Sequence, residues 1–410
     1  MQYSDYSGGI FSDVAALYKR GIKAGTGTTR KILDRLSFPE RKFEVIHVAG
    51  TNGKGSVCEY LTQILICAGK KVGTYTSPCA YDYGEQFRID GVPIAPDELA
   101  ESFEAAYAAA DGLEATGFEV ETAGAFLAFA RAGCDVAVIE CGMGGRDDAT
   151  NAIEEKRVAV ITSIGLEHTA YLGNSLAEIC GHKLGIIKNC PAVISALQPD
   201  EVKAYMGGNC GDKGIIFADK PVKILESGLF SQSYLYGRDK FELSMAGSAQ
   251  PYNAACAIEA ARLLKIDETA IYSGVKRAKL PARLQCIKAG GNTYVLDGAH
   301  NPACFVPLSG FIKDNFGVAD VAIFGSLADK DIEKNVLAIA GVTQKIIAIT
   351  PHGPRALAAE RVISACKKAG ISAEYAESVE SALERACGNV LICGTFTILR
   401  EAKLWIEKRL

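Results

Sequence analysis

The sequence predicts an α/β protein in two parts: a P-loop-type domain on a mostly parallel sheet with helices on both faces, then a smaller Rossmann-like α/β domain. Three observations predict it. Short apolar runs rich in β-branched residues alternate with helically spaced apolar positions along most of the chain, the pattern of a parallel sheet with crossover helices. One strand-to-helix junction, FEVIHVAGTNGKGSVCEYLTQILIC, holds a glycine-rich turn with a lysine and a serine set into it. The alternation also lapses around Lys279-Leu280-Pro281 and begins again from Leu284, so a linker is expected near 276–282.

Taken in order, residues 1–42 read as helical, with Phe11, Val14, Leu17 and Tyr18, then Ile32, Leu33 and Leu36 as apolar positions. Residues 43–49 form an apolar strand that stops at Gly50, and Val57, Leu61, Ile64 and Leu65 then recur at helical spacing. A second strand spans 71–76 and ends at Ser77-Pro78, and 86–94 read as a hairpin around Asp90-Gly91. Helices are expected over 96–110 and 119–132, then a fully apolar strand at 136–139 ending in Glu140 and the turn CGMGGRDDATN. The strand 158–164 leads into LEHTAYLGNSLAEICGHKLGIIK. From 190 to 247 the pattern loosens into shorter strands, expected as a partly antiparallel flank, before helical spacing returns at 252–264. Strands near 294–296, 321–324, 346–349 and 390–393 make up the second domain.

A chain of 410 residues has room for two or three domains with ample core. A formal net charge of −4 with dispersed basic residues gives no footprint for nucleic acid. The apolar stretches fall short of a bilayer span, and Asp5, Ser7 and Asp13 interrupt any secretory leader. The 14 cysteines include no Cys-x-x-Cys pair, and Cys67, Cys256 and Cys393 lie in apolar segments. They read as reduced core residues of a cytoplasmic protein.

The glycine turn carries the chemistry. Gly50, Gly53 and Gly55 let backbone N–H groups close around a phosphate at a helix start, where the helix dipole favours an anion. Lys54 adds a point charge for terminal phosphates and Ser56 a hydroxyl for Mg²⁺. The spacing departs from the general phosphate-loop pattern, because only Thr51 and Asn52 separate the first two glycines and Gly55 precedes Ser56. In open parallel sheets ligands gather beyond the carboxyl ends of the strands. That rule sets the glycine turn, Ser77, Glu140 and His168 along one rim. A strand-end carboxylate such as Glu140 suits Mg²⁺ beside a nucleotide. Ser77 alone is an ordinary turn residue, and His168, one of five histidines, reads equally as structural or as a ligand.

HVAGTNGKGS resembles the phosphate loop of the Mur ligase superfamily, specifically its folylpolyglutamate synthase/dihydrofolate synthase branch. The resemblance extends from about residue 28 to about 400 through several motifs in the same order. It implies that Gly50, Thr51, Asn52, Gly53, Lys54, Gly55 and Ser56 hold ATP, and that Ser77 of TSP binds Mg²⁺ with Glu140. IGLEHT resembles IGLDHT, whose histidine binds a second Mg²⁺, here His168. GHKLGIIK resembles EKAGIIK, whose first lysine is typically carbamylated, here Lys183. GFEVETAGAF matches FExxTxxAF at Phe118, Glu119 and Thr122, with the aromatic ring against a pterin. ECGMGGRDDATN puts Asp148 where an acid hydrogen-bonds the pterin. From the residues alone, Phe118 reads as core and Asp148 as a turn cap.

SAQPYNAACAIEA resembles HQxxNAxxA, keeping Gln250 and Asn253 as nucleotide contacts but carrying Ala249 for the histidine. PARLQ supplies Arg283 for the ATP phosphates, and LDGAHNP supplies Asp297 for ATP and His300 at the domain interface. FGSLADKD resembles FGALKDKD, with no role assigned to Asp329 or Lys330. One departure is marked: TSPCAYDYGEQFRIDG stands where TSPHLxxxxERIRING is usual, with Cys79 for histidine, which leaves the pterin specificity open.

The resemblance implies an ATP-dependent amide ligase adding L-glutamate to a dihydropteroate or reduced folate carboxylate through an acyl phosphate. Lys54, Glu140, His168, Lys183, Arg283 and His300 are the expected catalytic set. Residues 1–278 would bind ATP and the pterin and residues 282–410 the glutamate, with closure completing the site. A monomer using two Mg²⁺ ions is expected, without nucleic acid or membrane partners. The rival readings are a ligase of the same superfamily with another carboxylate acceptor and a nucleotide-binding protein without ligase activity.

Overall fold

The computed structural model describes residues 6, 8–188, 190–195, 197–209, 214–353 and 355–410. The chain divides into two compact units, one of Met1–Val222, Tyr236–Phe241 and Pro251–Ala278, the other of Lys223–Leu235, Glu242–Gln250 and Lys279–Leu410. Stretches 223–235 and 242–250 thus group with the second unit, although they precede residue 278.

The first unit opens with α1 (Gly9–Leu17) and α2 (Gly27–Arg35), followed by β1 (Glu44–Ala49), α3 (Lys54–Cys67) and β2 (Val72–Tyr75). The hairpin is β3 (Phe87–Ile89) and β4 (Val92–Pro93), turned by Asp90 and Gly91, both at positive φ. Then come α4 (Pro96–Ala109), α5 (Gly117–Arg131), β5 (Val136–Glu140), β6 (Val158–Ile161), α6 (Thr169–Leu172) and α7 (Leu176–Leu184). The elements β7 (Ala192–Ser195), α8 (Asp200–Asn209) and β8 (Ile215–Ala218) follow. The eight strands form one sheet in the order β4-β3-β2-β5-β1-β6-β7-β8. The strands from β2 to β8 in that order pair in parallel, and β3 and β4 add on antiparallel. The flank expected over 190–247 is corrected in part: β7 and β8 extend the main sheet in parallel, and only residues 222–243 form a separate small sheet.

Register explains the rim. Val48 pairs with Glu140 and Ala49 with Ile161, while Tyr75 pairs with Ile139. Four strands therefore end level, and the segments after them leave the sheet side by side. β1, β5 and β6 are buried on both faces, as central parallel strands are. Val45, Ala137 and Ile139 pack with Val14, Ile32, Leu33, Phe103 and Phe126 from the helices on one face. Further along, Ile161 and Ile194 pack with Ile179 and Met206. α3 lies on β1, β2 and β5 and is buried from Ser56 to Leu65. A helix buried almost all round needs cover on the side away from the sheet as well, and α10 (Glu268–Arg277), reached after α9 (Gln250–Leu263), provides it. A Cβ on Gly274 would lie 2.3 Å from Ile64 Cα, so only glycine lets the two helix backbones approach so closely.

A small sheet in the order β11-β10-β9 comprises β9 (Val222–Ser227), β10 (Gln232–Tyr236) and β11 (Asp239–Leu243). In the second unit the order is β12-β13-β17-β14-β15-β16. The strands are β12 (Gln285–Ala289), β13 (Asn292–Leu296), β14 (Val321–Phe324), β15 (Lys345–Ala348), β16 (Ser372–Tyr375) and β17 (Asn389–Cys393). Only β12 runs antiparallel. The helices are α11 (Pro302–Phe316), α12 (Ile332–Ala340), α13 (Ala359–Lys368), α14 (Val379–Arg385) and α15 (Phe396–Glu407). Phe305, Phe324, Val336, Ile346, Val362 and Leu391 form its core.

Candidate active site

The loop after β1 is held in shape by glycine and by the segment after β6. Gly50 has φ +149°, and a Cβ there would lie 1.8 Å from Thr162 Oγ1. Gly53 has φ +94°, and a Cβ would lie 2.4 Å from Asn253 Oδ1, so the start of α9 rests directly on the loop. Both are positions where a side chain meets strain and a clash together. The N–H of Thr51 donates to the Ser163 carbonyl at 2.8 Å and that of Asn52 at 3.3 Å. The Thr51 hydroxyl donates to the Gly165 carbonyl and accepts the Gly165 N–H, each at 3.0 Å. Gly55 and the buried Ser56 lie in the first turn of α3.

Two lysines converge on the same loop carbonyl. Lys54 Nζ donates to the Gly50 carbonyl at 3.0 Å and to that of Thr51 at 3.3 Å. Lys183 Nζ, on α7, donates to the Gly50 carbonyl at 2.7 Å and to Glu167 Oε1 at 2.6 Å. Burial opposes a charged Lys54, but the Glu167 and Glu140 carboxylates outweigh it and raise its pKa. Lys183 moves the other way: burial, aided by Lys54, lowers its pKa despite Glu167. Burial works against ionised Glu167 too, yet Lys54 and Lys183 hold its carboxyl below the usual range. Glu140 is buried at the end of β5, and its Oε2 accepts the Ser77 N–H at 3.3 Å. His168, exposed and with φ +46°, precedes α6 and adds its positive field to Glu167.

A second group sits on the turn after β5. Phe118 stacks on Tyr75 with ring centroids 6.0 Å apart, and its ring tip would be 2.5 Å from a Cβ on Gly142. The buried Asp148 accepts the Met143 N–H at 2.7 Å, the Thr150 N–H at 3.0 Å and the Thr150 hydroxyl at 2.5 Å. Burial raises its pKa and these donors oppose the rise. Phe118 and Asp148 thus meet at one turn, directly after Glu140. Glu119 makes a capping box with Thr116, its Oε2 accepting the Thr116 N–H at 2.8 Å, while its Oε1 is buried without a hydrogen-bond partner.

The second unit carries its own constellation. Asp297, at the end of β13, accepts the Leu284 N–H on Oδ2 and the Ala299 N–H on Oδ1, each at 2.8 Å. Burial raises its pKa against the pull of Arg283. The Arg283 guanidinium lies 5.3 Å from the centroid of the Phe396 ring. His300 Nδ1 is 2.8 Å from the Gly298 carbonyl, and its own carbonyl accepts Asn335 Nδ2 at 3.1 Å. Gln250 is buried at the first position of α9.

The first unit therefore gathers the glycine loop, Ser77, Glu140, His168, Lys183 and Asn253 on one rim, with Phe118 and Asp148 beside them. The second groups Arg283, Asp297 and His300. Sequence reasoning missed Glu167, the carboxylate between the two lysines. Its one available signal is an acid placed directly before His168 in the segment that follows β6.

A lysine-lined glycine loop on the rim of a doubly covered parallel sheet defines a nucleotide-binding α/β protein. Residues 48–261 match the Mur ligase middle domain, and residues 282–394 match the Mur ligase, glutamate ligase domain. The dihydrofolate synthase/folylpolyglutamate synthase of Bacillus subtilis (strain 168) is 33% identical over 96% of each chain. The Mycobacterium tuberculosis folylpolyglutamate synthase complexed with ADP and AMPPCP superposes with a TM-score of 0.87 at 28% identity, covering 96% of this chain and 98% of that one. A bifunctional folylpolyglutamate synthase/dihydrofolate synthase with Mn, AMPPNP and L-glutamate bound gives a TM-score of 0.84 at 27% identity, covering 99% and 100%. The chain belongs to the dihydrofolate synthase/folylpolyglutamate synthase family of Mur ligases.

Proposed function

We propose that this chain is an ATP-dependent acid–amino-acid ligase of folate metabolism, joining L-glutamate to the carboxylate of dihydropteroate or a reduced folate. The observation that carries the reading is the meeting of Lys54, Lys183, Glu167 and Glu140 around the Gly50 turn. The stretch that carries that turn, residues 48–261, matches a Mur ligase middle domain, and residues 282–394 match a glutamate ligase domain.

In this reaction the acceptor carboxylate attacks the γ-phosphorus of ATP, giving an acyl phosphate and ADP. The glutamate amine then adds to the acyl carbon. The tetrahedral intermediate expels inorganic phosphate, the nitrogen loses a proton, and an amide remains. Loop N–H groups and the charged Lys54 hold the phosphates, and alignment of the reactants supplies most of the acceleration. Asn253, Gln250, Arg283 and Asp297 are the further nucleotide contacts in this reading. Phe118 carries the acceptor ring, Asp148 takes its N–H groups, and His300 belongs to the catalytic set. Residues 1–278 serve ATP and the acceptor, residues 282–410 the glutamate, with the linker at 276–282.

The donor set fits Mg²⁺. Among the described residues no group of three or more His, Cys, Asp or Glu forms a protein cage, and Mg²⁺ does not need one beside phosphates. The buried Glu140 carboxylate and the Ser56 and Ser77 hydroxyls are hard oxygen donors suited to it. Mg²⁺ supplies charge neutralisation on the transferred phosphoryl group. His168 and Lys183 suit a second ion only if Lys183 is carbamylated, since the free amine donates to Glu167. Burial, by lowering the pKa of Lys183, enlarges the small neutral fraction of the amine on which carbamylation draws. The reading includes a monomer acting in the cytoplasm.

Incubation with ATP, Mg²⁺, radiolabelled L-glutamate and either dihydropteroate or tetrahydrofolate tests this. Label in a pterin product with one ADP released per bond is expected. ATP binding without glutamate transfer to either acceptor overturns the reading.

A further inference from the structure

His47 takes no part in the site described above, although it lies on β1 just before Gly50. It is fully buried. Its Nε2 is 2.8 Å from Thr150 Oγ1 and 3.0 Å from Cys141 Sγ, while its Nδ1 is buried with no hydrogen-bond partner. Thr150 Oγ1 is in turn 2.5 Å from Asp148 Oδ1.

The proton directions along this chain follow from what each group can do. An ionised carboxylate only accepts, and a threonine hydroxyl has one proton to give. At this short distance the Thr150 proton points to Asp148. Thr150 Oγ1 can then only accept from His47, so Nε2 carries the imidazole hydrogen. Nδ1 is left bare, in keeping with its lack of a partner. Burial, with Lys156 and Lys188 nearby, keeps the ring neutral. The direction is single: His47 Nε2–H to Thr150, Thr150 O–H to Asp148.

We propose that His47 and Thr150 are positioning residues for Asp148, a buried donor chain that fixes its carboxylate as a charged acceptor for the ring N–H groups of a flat heterocyclic substrate. The proposal rests on the reading of Asp148 as an acceptor-binding acid. The chain occupies Oδ1, leaving Oδ2 toward the Gly142–Met143 turn against which Phe118 packs. It also ties the strand that feeds the phosphate loop to the acid that holds the acceptor.

The test uses the full chain in glutamate addition. Thr150→Val removes the hydroxyl without changing size and keeps the backbone N–H on Asp148. It should raise the KM for the pterin acceptor about tenfold, the worth of one hydrogen bond to a charged group, and leave the KM for ATP unchanged. Thr150→Ser should restore the wild-type value. His47→Leu should act as Thr150→Val does, and the double variant should be no worse than either. An unchanged acceptor KM in Thr150→Val, or an equal rise in both KM values, overturns the chain. Asp148→Asn separates the two readings: no effect on acceptor KM removes Asp148 from the acceptor site, whereas a rise there with none in Thr150→Val removes only the relay. Selective ¹⁵N labelling of histidine in the wild-type protein gives a check independent of variant folding. A neutral Nε2–H tautomer is expected for His47, and an Nδ1–H tautomer or an imidazolium overturns the proposal.

Discussion

Lys183 and Gly50 are joined by a 2.7 Å hydrogen bond from Nζ to the backbone carbonyl, across 133 positions of sequence. The same carbonyl accepts Lys54, so two ammonium groups share one oxygen and Glu167 offsets the repulsion between them. Replacing Lys183 with Met removes a buried cation and the hydrogen bond it donates to Glu167, leaving that carboxylate to the fields of Lys54 and His168. A broken buried pair costs about 3–5 kcal/mol, and the partial exposure of Glu167 sets the expectation near 3 kcal/mol, the low end of that range. Urea unfolding of Lys183→Met should show this loss, and adding Glu167→Gln should recover part of it. Equal stabilities for the single and double variants would sink the pairing argument.

Lys54 is the simpler case. It folds back over its own loop, held there by two carbonyls, and Glu167 keeps Lys183 as a cationic partner when Lys54 is removed. Lys54→Ala should keep the thermal midpoint close to wild type while glutamate addition falls on the order of 10²-fold or more, as for loss of a transition-state charge partner. Near-wild-type turnover would remove the loop from the phosphate-binding role.

Much of this site was legible in the sequence because it follows strand ends. β1, β2, β5 and β6 are short apolar runs, and the register that levels them sets Gly50, Ser77, Glu140 and the His168 segment side by side. The placement of β7 and β8 was not legible: the shorter strands expected after residue 190 carry no mark of their partners, and only pairing with β6 and with each other sets them in the main sheet. The role of Lys183 came from resemblance alone, since a helical lysine normally points to water. Glu167 and His47 escaped notice for a related reason. Their partners lie across the sheet, and no sequence period connects Glu167 to Lys54 or His47 to Thr150.

Arg283 is placed by shape as much as by charge. A Cβ on Gly298 would lie 2.6 Å from Arg283 Nη1 and 2.5 Å from the Phe396 ring, so glycine there opens the slot in which guanidinium and ring stack. Gly298→Ala should displace the guanidinium, and Arg283→Lys should keep the charge but lose the planar fork and the stack. Both should lower glutamate addition by on the order of 10- to 100-fold, with little change in the unfolding midpoint of Arg283→Lys. Full activity in Arg283→Lys would show that charge alone suffices.

Glu121 gives a prediction in pH. It is buried on α5 and accepts hydroxyl protons from Tyr18 at 2.5 Å and Tyr83 at 2.6 Å. Burial raises its pKa from 4.5 to about 7, with the two tyrosine hydrogen bonds opposing the rise. Tyr75 and Cys79, from the strand and loop packed against it, are uncharged in this range, since burial raises both of their pKa values. The folded state therefore binds more protons than the unfolded chain between about pH 4.5 and 7, so stability falls as pH rises through that window and stays lower above it. Glu121→Gln abolishes the titration while its amide can still meet both tyrosines. It should flatten this part of the stability curve and stabilise the protein at pH 8 by about 1–3 kcal/mol, each pKa unit being worth about 1.4 kcal/mol. Denaturant unfolding of both proteins from pH 5 to pH 8 checks it, and parallel curves would mean that Glu121 does not titrate in this window.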